Sequence, residues 1–150
     1  MFKIITDSAC DLPRASFKQH DVDVVPLHVL IGEQEVHIAT DDVAAMQSFY
    51  HELANGRTAT TSQVSLGEFI NAFEPYVVDN IPVFYLAFDS ALSGTYASAV
   101  QAQQVLLEEH PQAQITIADS RAASCGLGMM LLDVIAQRDA GSSPEDLADW

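Results

Sequence analysis

The run Ile81-Pro-Val-Phe-Tyr-Leu-Ala87 is apolar and short, and it reads as a buried strand. A polar stretch follows at once, Phe88-Asp-Ser-Ala-Leu-Ser-Gly-Thr-Tyr96, and a helical pattern then covers residues 95–109. Ser90, Ser93, Gly94 and Thr95 therefore stand where a strand ends and a helix begins. Such a junction presents backbone N–H groups without intrahelical partners and the positive end of a helix dipole, which suits a carboxylate or a phosphate. Two readings of Ser93 follow. It caps its own helix, or it donates to a bound anion.

The rest of the chain repeats this strand–loop–helix grammar. Phe2-Lys-Ile-Ile-Thr6 is a short strand that runs into the polar loop Asp7-Ser-Ala-Cys-Asp-Leu-Pro13. Pro13 suits the first turn of a helix that reaches His20. Residues 22–30 form a second extended run, in which Pro26 marks an edge position or a strand end. Residues 33–38 read as a short strand after a turn at Gly32. Thr40 is the expected N-cap of a helix over 41–53 with Val43, Met46, Tyr50 and Leu53 on its apolar face.

Arg57-Thr-Ala-Thr-Thr-Ser-Gln63 reads as a hydroxyl-rich loop at a helix entrance. Ser65-Leu-Gly-Glu68 is a capping box, and Leu66, Phe69, Ile70, Phe73 and Val77 form the stripe of the helix it opens. Residues 114–118 are a further strand ending at Asp119-Ser120-Arg121. Leu127, Met130, Leu131, Val134 and Ile135 give a helix over 124–140 its buried face, and Ser143-Pro144 opens another. That last helix has barely begun at Trp150, so the chain is expected to be the first domain of a longer protein.

Alternating strands and helices predict an α/β fold, a parallel sheet with helices on both faces. Ligands of such sheets bind outside the carboxyl ends of the strands. Asp7-Ser8, Ser90–Thr95 and Asp119-Ser120 all fall on that edge, and the Thr60-Thr-Ser62 stretch is a candidate to join them.

Charge and composition narrow the function. The 150 residues carry 21 acids and 6 bases, a net charge of −15, which argues against nucleic acid and against docking on anionic membranes. No apolar run approaches membrane-spanning length, and no signal-peptide pattern follows Met1, so a cytoplasmic location is expected. Cys10 and Cys125 show no metal or disulfide spacing and read as free thiols.

No metal or cofactor is expected. His20, His28, His37, His51 and His110 read as surface or packing residues, with His28 and His37 the two nearest the ligand edge. Gly126 and Gly128 lack the third glycine of a dinucleotide fingerprint and read as helix-packing residues. Asp7 at a strand tip resembles a phosphatase nucleophile, but position 9 is Ala where Asp-x-Asp needs a second acid, so Asp7 and Asp119 read as loop-ordering residues. What remains is a hydroxyl-lined anion pocket, for either a carboxylate with an apolar tail or a phosphate.

At this level of detail the chain resembles the DegV family. Asp7-Ser-Ala-Cys-Asp-Leu-Pro13, Val24-Val-Pro-Leu27, Thr61-Ser-Gln-Val-Ser65, Leu92-Ser-Gly-Thr-Tyr96 with Ala99, and Asp119-Ser120 with Gly126 and Gly128 match it in order and approximate spacing. The resemblance implies a two-domain α/β protein, of which residues 1–150 are the N-terminal domain, with the acyl chain of a long-chain fatty acid buried between the domains. It implies carboxylate binding by Thr61, Ser62, Ser93, Gly94 and Thr95, with Asp7 and Ser8 as secondary candidates. It also implies no catalysis by the chain itself; some members present the acid to a separate fatty-acid kinase, which makes an acyl phosphate.

Two positions depart from the family pattern, Val64 where Pro is usual and Asp89 where Ser is usual; the Asp89 side chain is expected to point away from an anionic head group. The tyrosine-aspartate-glycine stretch of the family is not visible around Val36–Thr40. The alternative reading is an enzyme acting on a small phosphate or carboxylate at the same edge; a third is an interaction domain without a ligand.

Overall fold

The computed structural model describes residues 1–36 and 41–148. Its centre is a four-stranded parallel sheet made of β1 (Lys3–Asp7), β2 (Val22–Val25), β6 (Val83–Ala87) and β7 (Ile115–Asp119), in the order β2-β1-β6-β7. All five residues of β6 are buried, as a strand covered on both faces requires. Alternation along β1 and β6 then splits the core in two. Ile5, Val83, Tyr85 and Ala87 face α3 (Leu66–Val78) and α4 (Thr95–Glu109), where Phe69, Phe73, Ala99, Ala102 and Leu106 meet them. Ile4, Phe84 and Leu86 face α5 (Ser124–Asp139) and α6 (Pro144–Ala148), packing with Leu127, Leu131, Val134, Ile135 and Leu147. The expected helices on both faces are present, and α1 (Arg14–Gln19) adds Phe17 to the second cluster.

Strand order fixes where a ligand belongs. From β1 the chain moves outward to β2, then crosses back to place β6 on the other side of β1. The carboxyl ends of β1 and β6 therefore flank the topological switch point, the crevice where open α/β sheets bind ligands.

A second, antiparallel sheet was not foreseen. It comprises β3 (His28–Ile31), β4 (Gln34–Val36) and β5 (Ala59–Ser62), in the order β4-β3-β5. Pro26 divides the expected 22–30 strand: β2 stays at the edge of the parallel sheet, and β3 leaves for the new one. A two-residue turn, Gly32-Glu33, joins β3 to β4, with Gly32 at φ 63°. The 57–63 stretch, expected as a loop, contributes β5, because β-branched Thr60 and Thr61 find a partner strand in β3.

The helix signals fare unevenly. Ser65 and Glu68 form the expected capping box on α3, although Leu66 at its start is 37% exposed and falls off the stripe. Gly128 lies against Leu12 and Cys10, and a Cβ there would come within 3.2 Å of Leu12, which bears out its packing role. Helix α2 (Val43–Ala54) is capped by Asp42, whose carboxylate accepts from the Ala45 N–H at 3.0 Å; Thr40 lies outside the described residues. Its expected apolar face is covered only in part, with Met46 and Leu53 half-buried. Val43 and Tyr50 are 64% and 60% exposed, and no residue of α2 is buried. Ala45 and Phe49, also half-buried, line an open groove of about 610 Å3 together with Ile31 and Val36.

Candidate anion-binding edge at the switch point

Asp7, the last residue of β1, is fully buried and holds the switch point together. One carboxylate oxygen accepts from the Ala9 N–H at 3.1 Å. The other accepts from the Tyr85 hydroxyl at 2.7 Å and from the Phe88 N–H at 2.8 Å. Burial pushes its carboxyl above the ordinary value, against the pull of the Tyr85, Phe88 and Ala9 bonds. Burial and the neighbouring Asp7 also push the Tyr85 hydroxyl up. Because Phe88 opens the polar stretch after β6, Asp7 fixes that stretch from its first residue. With both oxygens engaged, Asp7 is a loop-ordering residue and is not exposed to a substrate.

Asp119, at the end of β7, does the same on the other side. Its carboxylate accepts from the Ser90 N–H at 3.1 Å, the Ser90 hydroxyl at 2.6 Å and the Arg121 N–H at 3.1 Å. Partial burial works against its charge, but these bonds prevail and hold its carboxyl below the usual range. Asp89 folds back onto its own loop, accepting from the Ala91 N–H at 2.8 Å. Ser8 accepts from the Leu27 N–H at 2.8 Å, which fastens the β2–β3 crossing to the end of β1. The three strand-end loops thus share one edge.

Ser93 is half-buried and precedes Gly94, the N-cap of α4. Its Oγ accepts from the Thr95 N–H at 3.1 Å and lies 2.8 Å from the Thr95 hydroxyl, so Ser93 does part of a cap's work from one residue further out. Thr95 is fully buried, and its hydroxyl meets that of Ser93. The Ser93 N–H is taken by the Asp89 carbonyl at 3.2 Å. The first turn of α4 leaves the N–H groups of Gly94, Tyr96 and Ala97 without intrahelical acceptors.

Thr61 and Ser62 reach this edge from β5, and both are exposed. They pair with Val29 and His28 respectively, and successive strand residues point to opposite faces, so the two hydroxyls do not converge on one atom of a ligand. Gln63 donates to the Ser98 Oγ at 2.8 Å and so docks the end of β5 on α4. Sequence reasoning quoted Gln63 within a motif and gave it no role, because its partner lies 35 positions away.

His28, on Ser62's side of the small sheet, bridges Glu35 at 2.5 Å and Glu68 at 2.8 Å, so β4 and the start of α3 are joined through one imidazole. Hydrogen bonds donated to Glu35 and then to Glu68 raise its pKa. A cavity of about 490 Å3 opens beside the junction, with Leu86, Ile117, Met130 and Leu147 on its walls and Tyr96, Asp119 and Ser120 among its polar lining. Among the described residues no group of three His, Cys, Asp or Glu is placed to hold a metal ion, and no helix is long and apolar enough to cross a membrane.

Fold and edge together define a doubly wound α/β protein with a neutral, hydroxyl-rich donor cluster at its switch point. Residues 1–150 match the family described as "Uncharacterised protein, DegV family", and the chain belongs to the DegV family. It is 40% identical over 149 residues to a DegV domain-containing protein of Clostridium perfringens, covering 99% of this chain and 51% of that one. A stearic-acid-binding protein from Eubacterium ventriosum superimposes with a TM-score of 0.87 at 28% identity, covering 99% of this chain and 51% of the other. A DegV family protein from Thermus thermophilus, described for its fatty acid binding, superimposes with a TM-score of 0.81 at 30% identity, covering 97% and 50%. The chain spans about half the length of these relatives.

Two predictions test the edge. Replacing Asp7 by Ala strands the Tyr85 hydroxyl and the Phe88 N–H in the interior, and urea unfolding is expected to show a loss of about 3 kcal/mol, at roughly 1–3 per unsatisfied group. Asp7→Asn keeps an acceptor and loses less. His28 is expected to titrate above the ordinary imidazole value by NMR, because Glu35 and Glu68 hold its charged form. Its bridge is fully present below the unfolded value and is lost as pH rises through the raised folded value. Hydrogen-exchange protection of residues 28–36 therefore falls across that window in the native chain and stays flat in His28→Gln.

Proposed function

We propose that the chain binds a long-chain fatty acid at the switch-point edge. The carboxylate is taken by the hydroxyls of Thr61 and Ser93 and by N–H groups at Gly94 and the first turn of α4, with Thr95 orienting Ser93 and Ser62 turned to the other face of β5. The observation that carries this reading is the docking of β5 on α4, since the Gln63–Ser98 bond brings two hydroxyl-bearing segments from distant parts of the chain to one helix N-terminus. The donors are neutral, so affinity rests on the tail, at about 0.8 kcal/mol per buried methylene. In the adjoining cavity, which Asp119 and Arg121 also line, half-buried Ile117 and Met130 offer the tail its first apolar surface.

The greater length of the relatives supports a second domain as the opposite wall of the acyl channel, with residues 1–150 as the N-terminal domain. In the whole protein the bound acid is presented to a separate ATP-using kinase, and this chain contributes binding and no phosphoryl transfer.

Native mass spectrometry of protein purified from a bacterial host tests the binding step. The native spectrum is expected to carry an added mass equal to a long-chain fatty acid, absent from the denatured spectrum of the same sample. Ser93→Ala is expected to lose most of that added mass while keeping its fold. A bare mass after incubation with excess stearate contradicts the proposal.

A further inference from the structure

We propose that Gln63 is the positioning residue of the head-group site, the strut that sets how far the β5 hydroxyls stand from the Ser93–Thr95 turn. The proposal rests on reading that edge as a carboxylate site. Gln63 follows the last residue of β5 and precedes Val64, which is fully buried and holds the backbone down. Its carboxamide crosses to α4 and donates to the hydroxyl of Ser98, itself buried one turn inside the helix. On the way it lies against Gly94 so closely that a Cβ there would sit 2.0 Å from the Gln63 Oε1 and 2.8 Å from its Cδ.

A Cβ at position 94 therefore fits only if the Gln63 side chain moves aside. The Gly94 backbone, at φ −73° and ψ 0°, is ordinary right-handed helical geometry that any residue adopts. The consequence of a side chain there is therefore not backbone strain but displacement of the exposed Gln63 carboxamide. The strand bearing Thr61 and Ser62 is seated by one carboxamide on the turn bearing Ser93 and Thr95. Gln63 need not touch the ligand. Its length and its bond to Ser98 define the gap the carboxylate has to fit.

Three variants test this: Gln63→Leu keeps the volume without the hydrogen bond, Gln63→Asn shortens the strut, and Gly94→Ala evicts it. Two readouts are needed. Amide hydrogen exchange is expected to accelerate at least tenfold in residues 59–63 and 93–98 of Gln63→Leu, with 83–87 unchanged. Displacement of a fluorescent long-chain fatty acid by stearate is expected to show at least fivefold weaker binding in all three variants. Thr61→Val and Ser93→Ala losses, non-additive in the native chain, become additive in the Gln63→Leu background. Unchanged exchange in Gln63→Leu overturns the strut. So does stearate affinity within twofold of the native chain in Gln63→Leu while Ser93→Ala loses binding. If the native chain takes up no fatty acid, the head-group reading fails by itself, and the exchange comparison alone decides the role of Gln63.

Discussion

A carboxylate withdrawn from water is costly unless donors surround it, and Asp7 has three. They come from its own loop, from the interior of β6 and from the residue just beyond β6. The group that needs them therefore ties together the two strands between which the sheet changes direction. Everything functional at the edge hangs from that knot. Phe88 starts the polar stretch at a fixed place, Ser90 then reaches Asp119, and the chain arrives at Gly94 ready to enter α4. Asp7, Asp89 and Asp119 all commit oxygens to backbone N–H groups. An edge rich in acids consequently offers hydroxyls and helix N–H groups to solvent.

That arrangement reconciles a net charge of −15 with the anionic ligand proposed for this edge. Charges beyond about 8 Å are screened at physiological ionic strength, so the local donors matter more than the total. Asp7 and Asp119 show the two outcomes of the same device. Deep burial outweighs the bonds at Asp7 and raises its carboxyl, while the shallower Asp119 is lowered by Ser90 and Arg121. Neutral hydroxyls beside these committed acids hold a carboxylate weakly by themselves, which is consistent with a ligand whose apolar tail carries most of the affinity.

The parallel sheet and its flanking helices were legible because their signals are local. An apolar run such as 81–87, the Ser65–Glu68 capping box and the 127–135 stripe each declare themselves within a few residues. The second sheet was legible only at β4, the strand expected over 33–38 after the Gly32 turn. β5 is short and polar, and its strand identity comes from pairing with β3, about thirty residues earlier, once Pro26 has released β3 from the parallel sheet. The face of α2 was legible only in part: periodicity gives an apolar stripe, of which Met46 and Leu53 are half-buried while Val43 and Tyr50 stay exposed. In the site, the strand-end loops followed from topology, whereas Gln63 did not. A glutamine before a valine carries no signal until Gly94 and Ser98 are seen beneath it.

The measurement closest to the central claim is an NMR titration of the backbone amides with stearate carrying a 13C-labelled carboxyl group. A carboxylate seated on the first turn of α4 shifts the amides of Gly94, Tyr96 and Ala97 and those of Thr61–Gln63 most strongly, with close contacts from the labelled carbon to the same residues. Shifts confined to the groove between α2 and the β3–β4 hairpin, with residues 93–97 unmoved, would contradict it.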